Sequence, residues 1–95
     1  MPNNKFIWNE EKHKANIIKH GISFTEAISV FDDDDALYLF DEEHSIGEER
    51  FIVIGVSEEY NMLMVSHCYR NGDNTTRIIS ARKANIKEQA QYRRR

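Results

Sequence analysis

Residues 51–80 read FIVIGVSEEYNMLMVSHCYRNGDNTTRIIS, and this stretch decides the fold. Three runs rich in β-branched and large apolar residues, 51–56, 62–69 and 75–80, are separated by short polar connections. The second connection contains Asn71-Gly72, a pair that tolerates positive φ and signals a hairpin turn. Links this short join antiparallel neighbours, because a parallel pair needs a crossover of about a dozen residues. The run 62–69 is apolar on both alternating faces, so it belongs in the middle of the sheet.

Upstream, residues 36–40 (ALYLF) make a further strand, followed by an acidic loop over 41–49 that carries His44 and Gly47. The run Asp32, Asp33, Asp34 and Asp35 separates this strand from what precedes it. Four adjacent carboxylates repel one another and sit at the wrong end of a helix dipole. Before them, Ser23-Phe24-Thr25-Glu26 has the form of a capping box, with the Glu26 carboxylate able to reach back to the cap. Phe24, Ala27, Ile28 and Phe31 then follow helical spacing and predict one buried side. An earlier helix starts at Asn9 as N-cap, with Glu10 and Glu11 in its first turn, and stops at Gly21. Ala15 and Ile18, with Ile17 nearby, are its expected apolar face. Residues 5–8 read as a short strand or an anchored arm. From Ala81 onward the sequence reads as a final helix through Ala84, Ile86, Ala90 and Tyr92, ending in the solvated triplet Arg93-Arg94-Arg95. The expected fold is α+β: two N-terminal helices packed on a mainly antiparallel four-stranded sheet, with a C-terminal helix. Residues 1–95 form a single domain.

The composition, 40% hydrophobic and 31% charged, excludes disordered and collagen-like classes. The single cysteine, Cys68, cannot form an internal disulfide, which fits a reducing compartment. No apolar run approaches the roughly 20 residues of a membrane span, and the N-terminus has no apolar signal core, so a cytoplasmic protein is expected. The net charge of −3 hides a strong polarity. Residues 1–24 carry +2, residues 25–49 carry −10 and residues 50–95 carry +5. A basic end of this kind suits phosphate backbones, although charged solvated faces would read the same way.

Recognised local motifs are few. His13 and His20 lie two helical turns apart, too far to share one ion, and His67 and Cys68 point to opposite strand faces. The aspartate run lacks the glycine that a calcium loop requires at its sharp turn. No phosphate-binding, dinucleotide or esterase glycine motif is present. No metal or cofactor is therefore called for. What remains suits cleavage of RNA, which supplies its own 2′-hydroxyl nucleophile. Such chemistry needs cations for the phosphorane and groups that move protons. Lys19 and His20 end the first helix, His67 and Arg70 lie near the end of the central strand, Arg77 and Arg82 bracket the last strand, and Tyr92 sits on the final helix. Each also has a quiet reading: Lys19 and His20 as dipole partners, His67 and Tyr92 as packed side chains, Arg70 as solvated, Arg77 and Arg82 as ion-pair partners of the acidic middle.

Phe6-Ile7-Trp8-Asn9-Glu10-Glu11-Lys12, with Asn16, Lys19-His20-Gly21-Ile22, Phe24 and Glu26-Ala27, resembles the opening signature of the BrnT family. Gly47-Glu48-Glu49-Arg50-Phe51 resembles its middle signature. The segment Arg77-Ile78-Ile79-Ser80-Ala81-Arg82-Lys83-Ala84, then Glu88 and Tyr92, resembles its C-terminal one. The resemblance implies a RelE-like fold and a ribonuclease toxin of a type II toxin–antitoxin pair, cleaving RNA without metal and halting translation. It implies a BrnA-like antitoxin with a DNA-binding domain, a 2:2 complex, and operator DNA reached through the antitoxin. It also implies catalytic roles for Lys19, His20, His67, Arg70, Arg82 and Tyr92, and phosphate binding by Lys19, Arg70, Arg77 and Arg82. Tyr69 stands where the family often has an acid, which leaves the general base open and favours an alternative: a catalytically weak antitoxin-binding protein acting mainly in operon autoregulation. The acidic residues 32–49 are expected to lie away from the RNA cleft, and the antitoxin to cover the basic face.

Overall fold

The computed structural model describes residues 5–72 and 74–94. Its elements, in order, are β1 (Lys5–Ile7), α1 (Glu10–His20), α2 (Phe24–Ile28) continued by a 3-10 turn (Ser29–Asp32), β2 (Leu37–Phe40), a 3-10 turn (Glu42–His44), β3 (Phe51–Val56), β4 (Met62–Arg70), β5 (Thr75–Lys83) and α3 (Ile86–Arg94). The strands form one sheet in the order β1-β5-β4-β3-β2, with β4 at its centre. The sheet is five-stranded and mixed: the four antiparallel strands expected from the sequence are joined by β1, which pairs parallel with β5. Three residues are too few to show a strand period, and the partner lies about 70 positions away.

The local signals act largely as their chemistry dictates. Asn9 caps α1 by accepting from the Lys12 N–H at 3.0 Å, and Gly21 ends it with φ 71°. Ser23 caps α2 through the Glu26 N–H at 3.0 Å. The Glu26 carboxylate, however, does not return to its own cap. It accepts from Ser57 Oγ at 2.7 Å and Asn61 Nδ2 at 2.8 Å, and so ties α2 to the β3–β4 turn. The hairpin after β4 has positive φ at both Asn71 and Gly72, inside a longer loop than a two-residue turn. The last strand runs to Lys83, three residues further than the sequence suggested, and the final helix starts correspondingly later. Its start is marked by a reciprocal cap: the Glu88 N–H donates to Asn85 Oδ1 at 2.8 Å, and the Asn85 N–H donates to Glu88 Oε1 at 2.9 Å. Arg93 and Arg94 belong to this helix, while Arg95 lies outside the described residues.

Helices α1 and α2 cover one face of the sheet. Phe24, Ala27 and Val30 pack there against Val53, Leu63, Val65, Ile78 and Ala81. Gly55 permits the close approach of the turn after α2, since a Cβ there would meet Val30 Cγ1 at 2.8 Å. On the opposite face, α3 covers one end, where Tyr92 packs on Ile54, Met64 and Ala84. The Tyr92 hydroxyl reaches Asp33 Oδ2 at 2.7 Å, and the same oxygen accepts the Val56 N–H at 2.8 Å. One carboxylate of the aspartate run is thus a structural tie.

The first helix docks in an unexpected way. Its buried residue is Asn16, whereas Ile18 is 87% exposed and Ala15 and Ile17 also face outward. The Asn16 amide lies on the free edge of β5, accepting from the Ala81 N–H at 3.1 Å and donating to the Ala81 carbonyl at 2.8 Å and the Ile22 carbonyl at 2.9 Å. It mimics a neighbouring strand where β1 has ended. Asn16→Leu would bury similar volume but leave a buried N–H unpaired, so it is expected to lower stability by about 3 kcal/mol. Urea unfolding will show this as a lower midpoint at unchanged slope. A loss below about 1 kcal/mol would contradict the account.

Candidate active site

Pleating sends successive side chains of a strand to opposite faces, so Arg77 and Arg82, five positions apart, should oppose each other. They do not. The β4–β5 register pairs Ser66 with Ser80 but His67 with Ile78, so Ile79 is an extra residue in β5. This bulge resets the alternation. Arg82 pairs with Met64, Arg77 with Cys68 and Thr75 with Arg70, which places Arg70, Arg77 and Arg82 on the open face, away from α1 and α2. Arg50 joins them. It continues the β3 ladder one position beyond the Phe51–His67 pair and lines a cleft with Arg82.

Two hollows open beside these arginines. One, of about 440 Å³, is lined by Arg70, Arg77, Ile7, Trp8 and Asn9. The other, of about 320 Å³, includes Arg50, Arg82, Ser66, Ser80, Asp41 and His44. A third hollow at the sheet rim, of about 570 Å³, holds Glu48, Glu49, Phe51, Tyr69 and Arg70. The distance along β4 from Arg70 to the partner of Arg82 is six residues, or roughly 20 Å. The face therefore presents an extended track, not a point pocket.

Carboxylates already hold most of these cations. Arg82 makes a bidentate pair with Glu88 at 2.8 Å through both nitrogens, which holds its guanidinium above its ordinary range. Burial pushes the Glu88 carboxyl up, but the Arg82 hydrogen bonds and the Asn85 N–H outweigh this and hold it down. Arg70 meets Glu48 at 2.9 Å, and Arg50 lies 3.9 Å from the same residue. The Arg70 Nε is enclosed with no hydrogen-bond partner among the described residues. Among the described residues Arg77 has no carboxylate within ion-pair distance. The expectation that residues 32–49 lie away from the basic cleft is overturned, because Asp41, Glu43, Glu48 and Glu49 line these hollows. The loop after β2 folds back to extend the ladder, with the Asp41 N–H donating to the Arg50 carbonyl at 2.9 Å.

The remaining sequence candidates are placed elsewhere. His67 faces the helix-covered side, fully buried among the rings of Phe31, Tyr38, Phe51 and Tyr69. Its Nδ1 donates to the Val65 carbonyl at 3.2 Å, and its Nε2 accepts from the Tyr69 hydroxyl at 3.1 Å. A carbonyl can only accept, so this is the neutral tautomer with hydrogen on Nδ1. Lys19 and His20 end α1, which runs along β5 from Asn9 near Arg77 past Asn16 at Ala81. They sit beyond Ala81 on the covered side, Lys19 exposed and His20 half-buried, and line none of the three hollows. Tyr92 lies on the open face but is engaged with Asp33. Arg50, Trp8, Ser66 and Ser80 line these hollows without having been candidates from the sequence. The Gly47-Glu48-Glu49-Arg50-Phe51 signature pointed at Arg50 without assigning it a role.

Residues 8–88 match the family described as the ribonuclease toxin, BrnT, of type II toxin–antitoxin systems. The chain belongs to the BrnT family. The crystal structure of the Brucella abortus ribonuclease toxin, BrnT, is similar to it with a TM-score of 0.65 and 26% identity, covering 87% of this chain and 99% of that one. No curated protein matches the sequence. As a BrnT-family member the chain is a ribonuclease toxin of a type II toxin–antitoxin system, and the family implies an antitoxin partner and an RNA substrate. Among the described residues no helix is long and apolar enough to cross a membrane.

Burial holds the His67 imidazole down at about 4, below its ordinary 6.5. As pH falls below 6.5 the unfolded chain takes up this proton first, so the folded state loses stability progressively down to about 4. The loss from this one group is expected to be on the order of 3 kcal/mol. Denaturation of wild type and His67→Gln between pH 7 and pH 4 will separate it, with the variant showing the flatter profile. Parallel profiles would remove His67 as the cause.

Proposed function

We propose that the chain cleaves RNA on the open sheet face without a metal ion, with the substrate's 2′-hydroxyl as nucleophile. The observation that carries this is the gathering of Arg50, Arg70, Arg77 and Arg82 on one face. A guanidinium can bind two phosphate oxygens at once. When the pentavalent phosphorane forms, its added negative charge needs donors already in place, and fixed arginines supply them without reorganisation. Arg77 makes the first contact because, among the described residues, no carboxylate competes for it. Arg70 and Arg82 are aimed by Glu48 and Glu88, and each keeps N–H groups for a phosphate. Trp8 and Tyr69 border the hollows and offer ring faces for bases. Lys19, His20 and His67 are left out of this site, and Tyr92 supports it through packing.

Cleavage of this kind halts translation in the cytoplasm. A BrnA-like antitoxin neutralises the toxin by covering the same arginines, in a complex of two toxins and two antitoxins. Operator DNA is reached through the antitoxin. Asp41, Glu43 and Glu49 beside the arginines offer counter-charges to basic antitoxin residues.

Purified protein in excess chelator is expected to cut a defined RNA and leave 2′,3′-cyclic phosphate ends. Arg77→Ala should lower kcat/KM by about 10- to 100-fold with an unchanged melting temperature. Cleavage at the wild-type rate in that variant would remove Arg77 from the site.

A further inference from the structure

The geometry points to His44 as the general base of RNA cleavage, oriented by Asp41. This inference rests on the RNA-cleaving reading above. His44 ends the 3-10 turn between β2 and β3 and lines the hollow shared by Arg50, Arg82, Ser66 and Ser80. Its Nδ1 lies 2.9 Å and 3.1 Å from the two carboxylate oxygens of Asp41. A carboxylate accepts, so Nδ1 carries the hydrogen, and the neutral ring keeps a lone pair on Nε2. An acceptor on Nδ1 sets both tautomer and ring direction, the arrangement required of a histidine that takes a proton from a hydroxyl.

The turn that carries His44 is pinned on both sides. Ser45 Oγ donates to the Asp41 carbonyl and accepts from the Arg50 N–H at 2.9 Å, and the Asp41 N–H donates to the Arg50 carbonyl at 2.9 Å. Asp41 is largely enclosed, with 12% of its side chain accessible, whereas the His44 side chain is 60% accessible and can meet a polymer. Glu43 stands 4.0 Å from Nδ1 on the same turn, and Arg50 and Arg82 are the cations facing the hollow. With Tyr69 where an acid was expected and His67 buried on the other face, His44 is the histidine that lines the hollow of Arg50 and Arg82, while the Asp41 carboxylate is turned to its Nδ1 and Glu48 to Arg70.

The step balances without a further reagent. The Nε2 lone pair takes the proton of the 2′-hydroxyl as the 2′-oxygen bonds to phosphorus. The bond from phosphorus to the 5′-oxygen breaks, and that oxygen leaves with the electron pair and takes a proton from water. The resulting hydroxide removes the proton from the imidazolium. The products are a 2′,3′-cyclic phosphate and a 5′-hydroxyl. Arg50 and Arg82 hold the phosphate oxygens, and Asp41 acts as a positioning residue.

The test measures single-turnover cleavage of a fluorescent oligonucleotide by the intact protein, with melting temperature as the control for folding. His44→Ala and His44→Gln are each expected to lose about 100-fold or more. Added imidazole is expected to restore the alanine variant by about tenfold, because a free base can occupy the vacated volume. Asp41→Asn is expected to lower kcat with KM unchanged. Wild-type rates in His44→Gln, or a slow His44→Ala that imidazole does not accelerate, would overturn the assignment. Absence of cleavage by the wild-type protein would overturn the RNA-cleaving reading itself, and this assignment with it, before any variant is compared.

Discussion

One residue without a partner, Ile79, governs both faces of the sheet. Strict alternation along β5 cannot place Ile78 and Ala81 together in the core, since they are three positions apart, nor Arg77 and Arg82 together on the open side. The bulge does both at once. Inward, it lets Ile78 and Ala81 pack with Val65 beneath α2. Outward, it sets the two arginines on the face that already carries Arg70. The core and the cation track therefore depend on the same irregularity. Removing it would turn one end of β5 over, exposing apolar groups and burying charge. Bulges also sharpen the local twist of the strand that carries them.

A second constraint acts at the edge. Because β1 pairs with only the first part of β5, the rest of that strand would stand open. The Asn16 amide closes it and fixes α1 in the same contact. Apolar periodicity could not reveal this, because the buried side chain is polar and the apolar ones, Ile17 and Ile18, point outward. The helix ends were plain in the sequence, since Asn9, Gly21 and Ser23 act through their own backbone neighbours. The three hairpin-linked strands were plain for the same reason. What failed involved distant partners: β1 with β5, Asn16 with Ala81, and Glu26 with Ser57 and Asn61. The late start of α3 was legible in principle, because Asn85 and Glu88 have the spacing of a reciprocal cap.

The site was legible in its chemistry and not in its assembly. Arginine as a candidate phosphate-binding residue follows from what guanidinium does, and Arg70, Arg77 and Arg82 share one face of the sheet. A histidine chosen from a strand of mixed character was a poor guide, because His67 reads equally well as an aromatic core member. His44 sat in a loop whose charge suggested solvent, and only the return of that loop against β3 sets it beside arginines. The acidic middle was misjudged for a related reason. Summed charge treats carboxylates as a field, whereas Glu48 and Glu88 act as individual clamps on Arg70 and Arg82.

Those clamps change how the molecule meets a polyanion. Acidic groups are woven among its arginines, so much of the positive charge on this face is neutralised in place. An oxyanion arriving at Arg70 or Arg82 meets a guanidinium that already holds one, and has to share it or displace it.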